Sequence, residues 1–404
     1  MSQPTASPVA KAPSSPSTQS PVKGRLKKQQ AQGFSLSSFL IALSAVVCLA
    51  GVTILPSITK VSSPGLPSIF GTISTIFDGY KSDLVGTQSG ETQKTGSSPS
   101  SAVVTLPAYN PSYEIPTAVF VGGTSGIGLA MAESFAQQTN GSSRIIIVGR
   151  NRIAAEGLFA RIPSPSTDAP KHEFIECDAT LMKNVHVASA HILKTVPKIN
   201  FLVLTPGVMT MNPRDETEEG IDRKLALHYY ARWAFIHGLL PALRKAGEAG
   251  EDAKVLSVLG AGRGSDIELD NLGLKADFKV IKAAMQTATY TDLMMEEFSQ
   301  RNPGISFLHS SPGLVRTNLI RSSDYWMLQM TYPALELMFW PFAISSGQCA
   351  EYMWGAIHRS TSGRAWRIGS KGEDIGMLNY RGNEEERKLV WEHTVAEVKP
   401  STIL

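Results

Sequence analysis

An α/β domain on a doubly wound parallel sheet is the fold class this sequence predicts, on three observations. A short apolar run, Ala118 to Val121, ends in glycines and is followed by helix-spaced Ile127, Met131 and Phe135. A second apolar run, Ile145 to Val148, comes at the spacing of a βαβ unit. Beyond it, "HEFIECDAT", "NFLVLTPGV", "AKVLSVLGAG" and "ISFLHSSPGLVRTNL" each hold an apolar strand, separated from the next by a helix-length segment. That alternation puts helices on both faces of a parallel sheet.

Composition sets the domain in a longer frame. At 404 residues, 42% of them hydrophobic and 18% charged, the chain has enough apolar material for a large core. The net charge of +3 hides an asymmetry: the first 77 residues hold six Lys or Arg and no Asp or Glu, so the rest is net acidic. A nucleic-acid-binding surface is thereby excluded. Cys48, Cys177 and Cys349 are far apart and show no metal-ligand spacing, so neither a disulfide framework nor a metal site is expected.

Residues 1–35 are Ser, Pro, Gln and Lys-rich, with "KGRLKK" at 23–28, and read as a disordered basic leader. Residues 36–58 read as a single transmembrane helix, because "FLIALSAVVCLAGVTIL" from Phe39 to Leu55 is nearly continuous apolar sequence of about spanning length. Residues 59–112 read as a linker, 113–382 as the α/β domain and 383–404 as a C-terminal tail. Five positive charges precede the span and only Lys60 follows it closely, which favours a cytoplasmic N-terminus and a lumenal domain at the endoplasmic reticulum. "TNGSS" then supplies a glycosylation sequon at Asn140, and the acid-free leader leaves a mitochondrial membrane as the alternative address.

The glycine turn carries the chemistry. In "GGTSGIG", Gly122, Gly126 and Gly128 let the backbone turn tightly, approach a pyrophosphate and pack the helix on the strand. Thr124, Ser125 and Ile127 complete the loop. After the second strand, Arg150 and Arg152 stand where an acid would bind a ribose 2′-hydroxyl, and arginine is the choice for a 2′-phosphate. NADP(H) is therefore the expected cofactor.

Across about 114–380 the sequence resembles the short-chain dehydrogenase/reductase superfamily, in the long form of its retinol-dehydrogenase-like and protochlorophyllide-reductase-like branches. The resemblance implies a Rossmann-type sheet. It matches Asp178 of "CDAT" to the acid that contacts the adenine, and Pro312, Gly313 and Thr317 of "SSPGLVRT" to the stretch closing over the nicotinamide. The family's Asn-Asn-Ala-Gly reads Leu204, Thr205, Pro206, Gly207, with Gly207 kept. Its Tyr-x-x-x-Lys falls on Phe278 and Lys282, expected one turn apart on one helix face. Gly260 aligns with the usual Ser and His228 with the usual Asn, so the tetrad is degenerate.

Phenylalanine has no proton to give, whereas the family's Tyr hydroxyl exchanges one with the substrate oxygen. Lys282 is expected to hold the ribose. His228 is the favoured replacement donor, with a helix histidine hydrogen-bonded within the core as its equal alternative and Ser265 or water behind it, and one of Tyr229 and Tyr230 is a candidate to face the pocket. Tyr290 lies too far along the helix to serve. The segment 324–345, "DYWMLQMTYPALELMFWPFAIS", follows the Pro-Gly stretch where the family carries its lid, and its apolar character suggests a hydrophobic substrate, a dip into the membrane or an ordinary buried helix pair. Expected partners are a lipophilic small-molecule substrate and membrane lipid, with a homodimer as a candidate assembly. Two readings follow: a membrane-anchored NADP(H)-dependent oxidoreductase on a lipophilic carbonyl, alcohol or conjugated alkene, or a cofactor-binding pseudoenzyme with a regulatory role.

Overall fold

The computed structural model describes residues 115–162, 171–323 and 325–400. The leader, the expected membrane span at 36–58 and the linker lie outside the described residues. Among those described, no helix is long and apolar enough to cross a membrane.

Seven strands form one parallel sheet in the order β3-β2-β1-β4-β5-β6-β9. They are β1 (Thr117–Val121), β2 (Arg144–Gly149), β3 (Glu173–Glu176), β4 (Phe201–Leu204), β5 (Lys254–Val258), β6 (Ser306–Ser310) and β9 (Ala365–Ile368). Their apolar runs do not alternate because both faces are covered, as a central parallel strand requires. Strand β1 pairs with β2 on one side, Val121 opposite Val148, and with β4 on the other, Val121 opposite Leu204. The order of connection reverses at this point, which opens a crevice at the carboxyl ends of β1 and β4.

On one face lie α1 (Gly126–Gln138), α2 (Arg152–Phe159) and α7 (Ser346–Arg359). Here Phe135 stacks on Trp354 at 5.2 Å, and the Trp354 indole donates to the Met131 carbonyl at 3.0 Å. On the other lie α3 (Met182–Thr195), α4 (Ala231–Glu248) and α5 (Val280–Arg301). A five-residue π-turn, Ala226–Tyr230, leads into α4.

The C-terminal residues set apart as a tail contain helix α8 (Glu384–Val398), which packs on this second face. Trp391 meets Phe298 at 4.9 Å and Trp233 at 5.1 Å, while Thr394 and His393 take the hydroxyls of Tyr229 and Tyr230, each at 2.7 Å. The domain therefore continues through residue 398. A polar-looking sequence hid this because Val390, Trp391 and Thr394 are few but fully committed to the core.

After β6 the chain forms a two-stranded clasp, β7 (Val315–Arg316) with β8 (Ile344–Ser345), in parallel register. Between its arms runs a flap containing α6 (Trp326–Phe339).

Candidate active site

The turn after β1 is a cradle that only glycine fills. Gly122 holds φ +84°, and a Cβ there would press on Thr205 Oγ1 at 2.8 Å and the Pro206 nitrogen at 2.9 Å. A Cβ on Gly128 would strike the Gly122 carbonyl at 2.7 Å. The turn delivers the chain to the N-terminus of α1, where Ser125 is the N-cap and its side chain makes no capping bond. An unspent hydroxyl and unpaired amides at a 13-residue helix start suit an anionic group.

The remaining expected cofactor residues surround this turn. Thr124 sits against Gly149 at the end of β2, its Cγ2 3.1 Å from the position of a Cβ there. Arg150, the next residue, is exposed and makes no ion pair among the described residues. Arg152 turns away, its guanidinium 4.8 Å from the Phe174 ring centre. Asp178, past β3, accepts the Thr180 N–H and hydroxyl on Oδ1, at 3.0 and 2.9 Å. Gly207 lies beside the His228 ring, 3.8 Å from Nε2 to a Cβ position. Gly313 adopts φ +69°, and the Pro312–Thr317 stretch reaches back until Thr317 lies 3.3 Å from a Cβ on Gly126. The donor set and the glycine cradle fit a dinucleotide.

The catalytic side differs from expectation in one respect. Helix α5 begins at Val280 with Lys279 as N-cap, so Phe278 precedes the helix and does not sit one turn from Lys282 on its face. Asp277, at φ +45°, turns the chain just before it. The Phe278 ring instead lies 5.0 Å from the Lys224 ammonium, which also donates to the carbonyls of Asn212 and Pro213 at 3.3 and 3.1 Å. Lys282 is no surface snorkeller: its side chain is 15% exposed, and Nζ meets Glu268 Oε2 at 2.5 Å and Asp277 Oδ2 at 3.8 Å.

His228 sits in the π-turn, a backbone irregularity frequent at functional sites. Its Nε2 accepts the Val208 N–H at 3.2 Å, and burial, aided by Arg232, pulls its pKa down to about 4. The ring is neutral at physiological pH and its Nε2 is spent as an acceptor. The Gly260 N–H donates to His309 Nε2 at 3.1 Å, and His309 Nδ1 meets Asp292 at 2.6 Å, with Arg367 at 3.1 Å from the same carboxylate. Ser265 Oγ donates to the Asp266 carbonyl at 3.2 Å. Tyr229 and Tyr230 bond to α8, and Tyr290 to the Leu272 carbonyl and Gln286, so none of the three supplies the crevice.

Sequence reasoning missed Arg232. It is buried, and donates from Nη1 to the Leu204 and Val258 carbonyls at 3.0 Å each and to Ser257 Oγ at 2.6 Å. Nη2 reaches the Pro206 carbonyl at 2.5 Å and Nε the Leu227 carbonyl at 3.2 Å. One side chain thus joins the carboxyl ends of β4 and β5 to the π-turn. The signal was available: a lone arginine in "HYYARWAFIHGLL" must be buried and satisfied from within.

A parallel sheet with a glycine cradle at its switch point and a lysine at the start of the following crevice wall defines an NAD(P)-dependent oxidoreductase. The chain belongs to the short-chain dehydrogenase family, whose profile matches residues 116–327. It is 33% identical over 309 residues to Oxidoreductase AN1596 of Emericella nidulans, covering 69% of this chain and 91% of the relative. Oxidoreductase andH of Emericella variicolor is 32% identical over 235 residues, 58% of this chain and 67% of its own. The polyprenol dehydrogenase of Homo sapiens is 24% identical over 277 residues, 67% of this chain and 78% of its own.

Proposed function

We propose that the chain is a membrane-anchored, NADP(H)-dependent oxidoreductase acting on a lipophilic carbonyl, alcohol or conjugated alkene. The flap carries this reading. Leu319, Trp326, Met330, Leu337, Trp340 and Phe342 are all exposed on it, Met330 at 72% and Leu337 at 79%. An apolar patch of this kind marks an interaction surface. The guanidiniums of Arg316 and Arg321 lie 4.4 and 5.2 Å from the Trp340 and Tyr332 ring centres, the pairing of aromatic and cation favoured at a lipid headgroup. The flap springs from Thr317, which lies against Gly126 of the cofactor turn. A relative named for a polyprenol, an isoprenoid alcohol, agrees with a lipophilic substrate.

The charge asymmetry about residues 36–58 supports a lumenal domain, in which Asn140, exposed in the turn after α1, takes a glycan. Protection of the domain from protease in sealed microsomes tests the topology, and its digestion there reverses the assignment.

NADP(H), when bound, supplies the hydride donor or acceptor. Gly122, Gly126 and the α1 N-terminus would hold the pyrophosphate, Asp178 the adenine and Arg150 the 2′-phosphate. An ammonium has three donors, so Lys282 keeps two for the ribose hydroxyls while Glu268 takes one. Arg150→Asp is expected to weaken NADPH binding by about 10- to 100-fold, the worth of one or two charged hydrogen bonds, with NADH little affected. Titration of nicotinamide fluorescence on the full chain in detergent measures it. Equal affinity of the unmodified protein for NADPH and NADH removes the cofactor assignment.

A further inference from the structure

We propose that Glu268 is the proton acceptor in alcohol oxidation, standing in for the hydroxyl that Phe278 lacks. The inference rests on the oxidoreductase reading above and adds to it a residue and a favoured direction.

The other candidates are already committed. The neutral His228 accepts through Nε2, Ser257 accepts from Arg232, and the three nearby tyrosines bond away from the crevice. Glu268 lies in the loop between β5 and α5, flanked in sequence by Ile267, which packs on the core. Its Oε2 takes both the Lys282 ammonium at 2.5 Å and the Asn271 amide at 3.2 Å, while Oε1 takes no hydrogen bond among the described residues. The burial of the pair is lopsided: 15% of the lysine side chain is exposed against 44% of the glutamate. The ammonium is therefore the buried partner and the carboxylate the one open to solvent. This is the arrangement of a positioned base.

The hydrogen bond from Lys282, then that from Asn271, holds the Glu268 carboxyl below its usual range, and the charge of Asp277 opposes them. The group is ionised at neutral pH. In the oxidation, the substrate O–H breaks and its proton passes to Oε1. The carbinol C–H bond would break with its hydrogen leaving as hydride to the oxidised nicotinamide, a C=O would form, and the proton on Oε1 would depart to solvent. Oxidation is therefore full above the Glu268 titration and lost as pH falls through it. Carbonyl reduction needs the protonated carboxyl and strengthens toward acid.

The test is single-turnover NADPH formation by the full chain in detergent micelles with NADP⁺. The probes are geranylgeraniol, 1-decanol and 2-decanol, read across pH for the unmodified protein, Glu268→Gln and Glu268→Asp. Glu268→Gln is expected to lower the rate about 10²- to 10⁴-fold and abolish the acid limb, with NADPH affinity by fluorescence within about threefold. Glu268→Asp keeps a carboxylate and is expected to recover part of the rate and the limb. It also decides the case if the glutamine disturbs the loop. A Glu268→Gln protein that turns over within threefold of the original with the same acid limb overturns the inference and leaves the oxidoreductase reading intact. Loss of rate that Glu268→Asp fails to recover at any pH assigns Glu268 a structural role and also overturns it. No turnover of any probe by the unmodified chain removes the lipophilic-alcohol reading together with the inference.

Discussion

Arg232→Leu is expected to remove about 3–5 kcal/mol from the stability of the domain. Leucine fills much of the space but leaves the carbonyls of Leu204, Pro206 and Val258 and the Ser257 hydroxyl without their donor. Each buried group so stranded costs about 1–3 kcal/mol, and backbone carbonyls cannot be removed by a compensating substitution. Burial lowers the guanidinium pKa to about 9, so the side chain is still a cation at neutral pH. No carboxylate pairs with it among the described residues; five hydrogen bonds carry its charge instead. Against a total of about 5–15 kcal/mol, the loss takes the protein close to unfolding at ordinary temperature. Chemical denaturation of the full chain in detergent measures it, and a change below about 1 kcal/mol would show that water replaces the side chain at little cost.

The second large effect is on the cofactor. Lys282→Ala is expected to raise the Kd for NADPH by about 10- to 100-fold, because two charge-assisted donors to the ribose disappear. The same change releases Glu268 from its ion pair, so its carboxyl returns toward the ordinary range and the acid limb of alcohol oxidation moves to higher pH. The double variant Lys282→Ala, Glu268→Gln separates the two. Unchanged NADPH affinity in Lys282→Ala would make the lysine only the holder of Glu268, with no ribose contact.

The strands and the glycine cradle were legible because burial on both sheet faces and positive φ each demand specific residue types at fixed spacing. Arg150 and Asp178 stand where the apolar runs placed them, just past the ends of β2 and β3. What escaped depends on the path of irregular backbone. Phe278 was expected on a helix since Tyr-x-x-x-Lys spacing suits one, yet Leu274 and Asp277 at φ +48° and +45° turn the chain and postpone the helix to Val280. The pairing of Glu268 with Lys282 spans that same turn, and nothing in local periodicity encodes it. Helix α8 escaped because its apolar residues are sparse, and only the presence of Trp233 and Phe298 opposite makes Trp391 a core residue.

The clasp that closes the base of the flap is made by main-chain pairing, with the Ile344 N–H donating to the Leu314 carbonyl at 3.0 Å. Its integrity asks almost nothing of the side chains between its arms. The flap is in that sense a cassette, inserted after the nucleotide half is complete and replaceable without rebuilding it. Selection for a new substrate can rewrite residues 318–343 while the cradle, the arginine brace and the lysine–glutamate pair stay under a separate constraint. A chimera carrying another enzyme's lid between the same two short strands would inherit this protein's chemistry along with a foreign appetite.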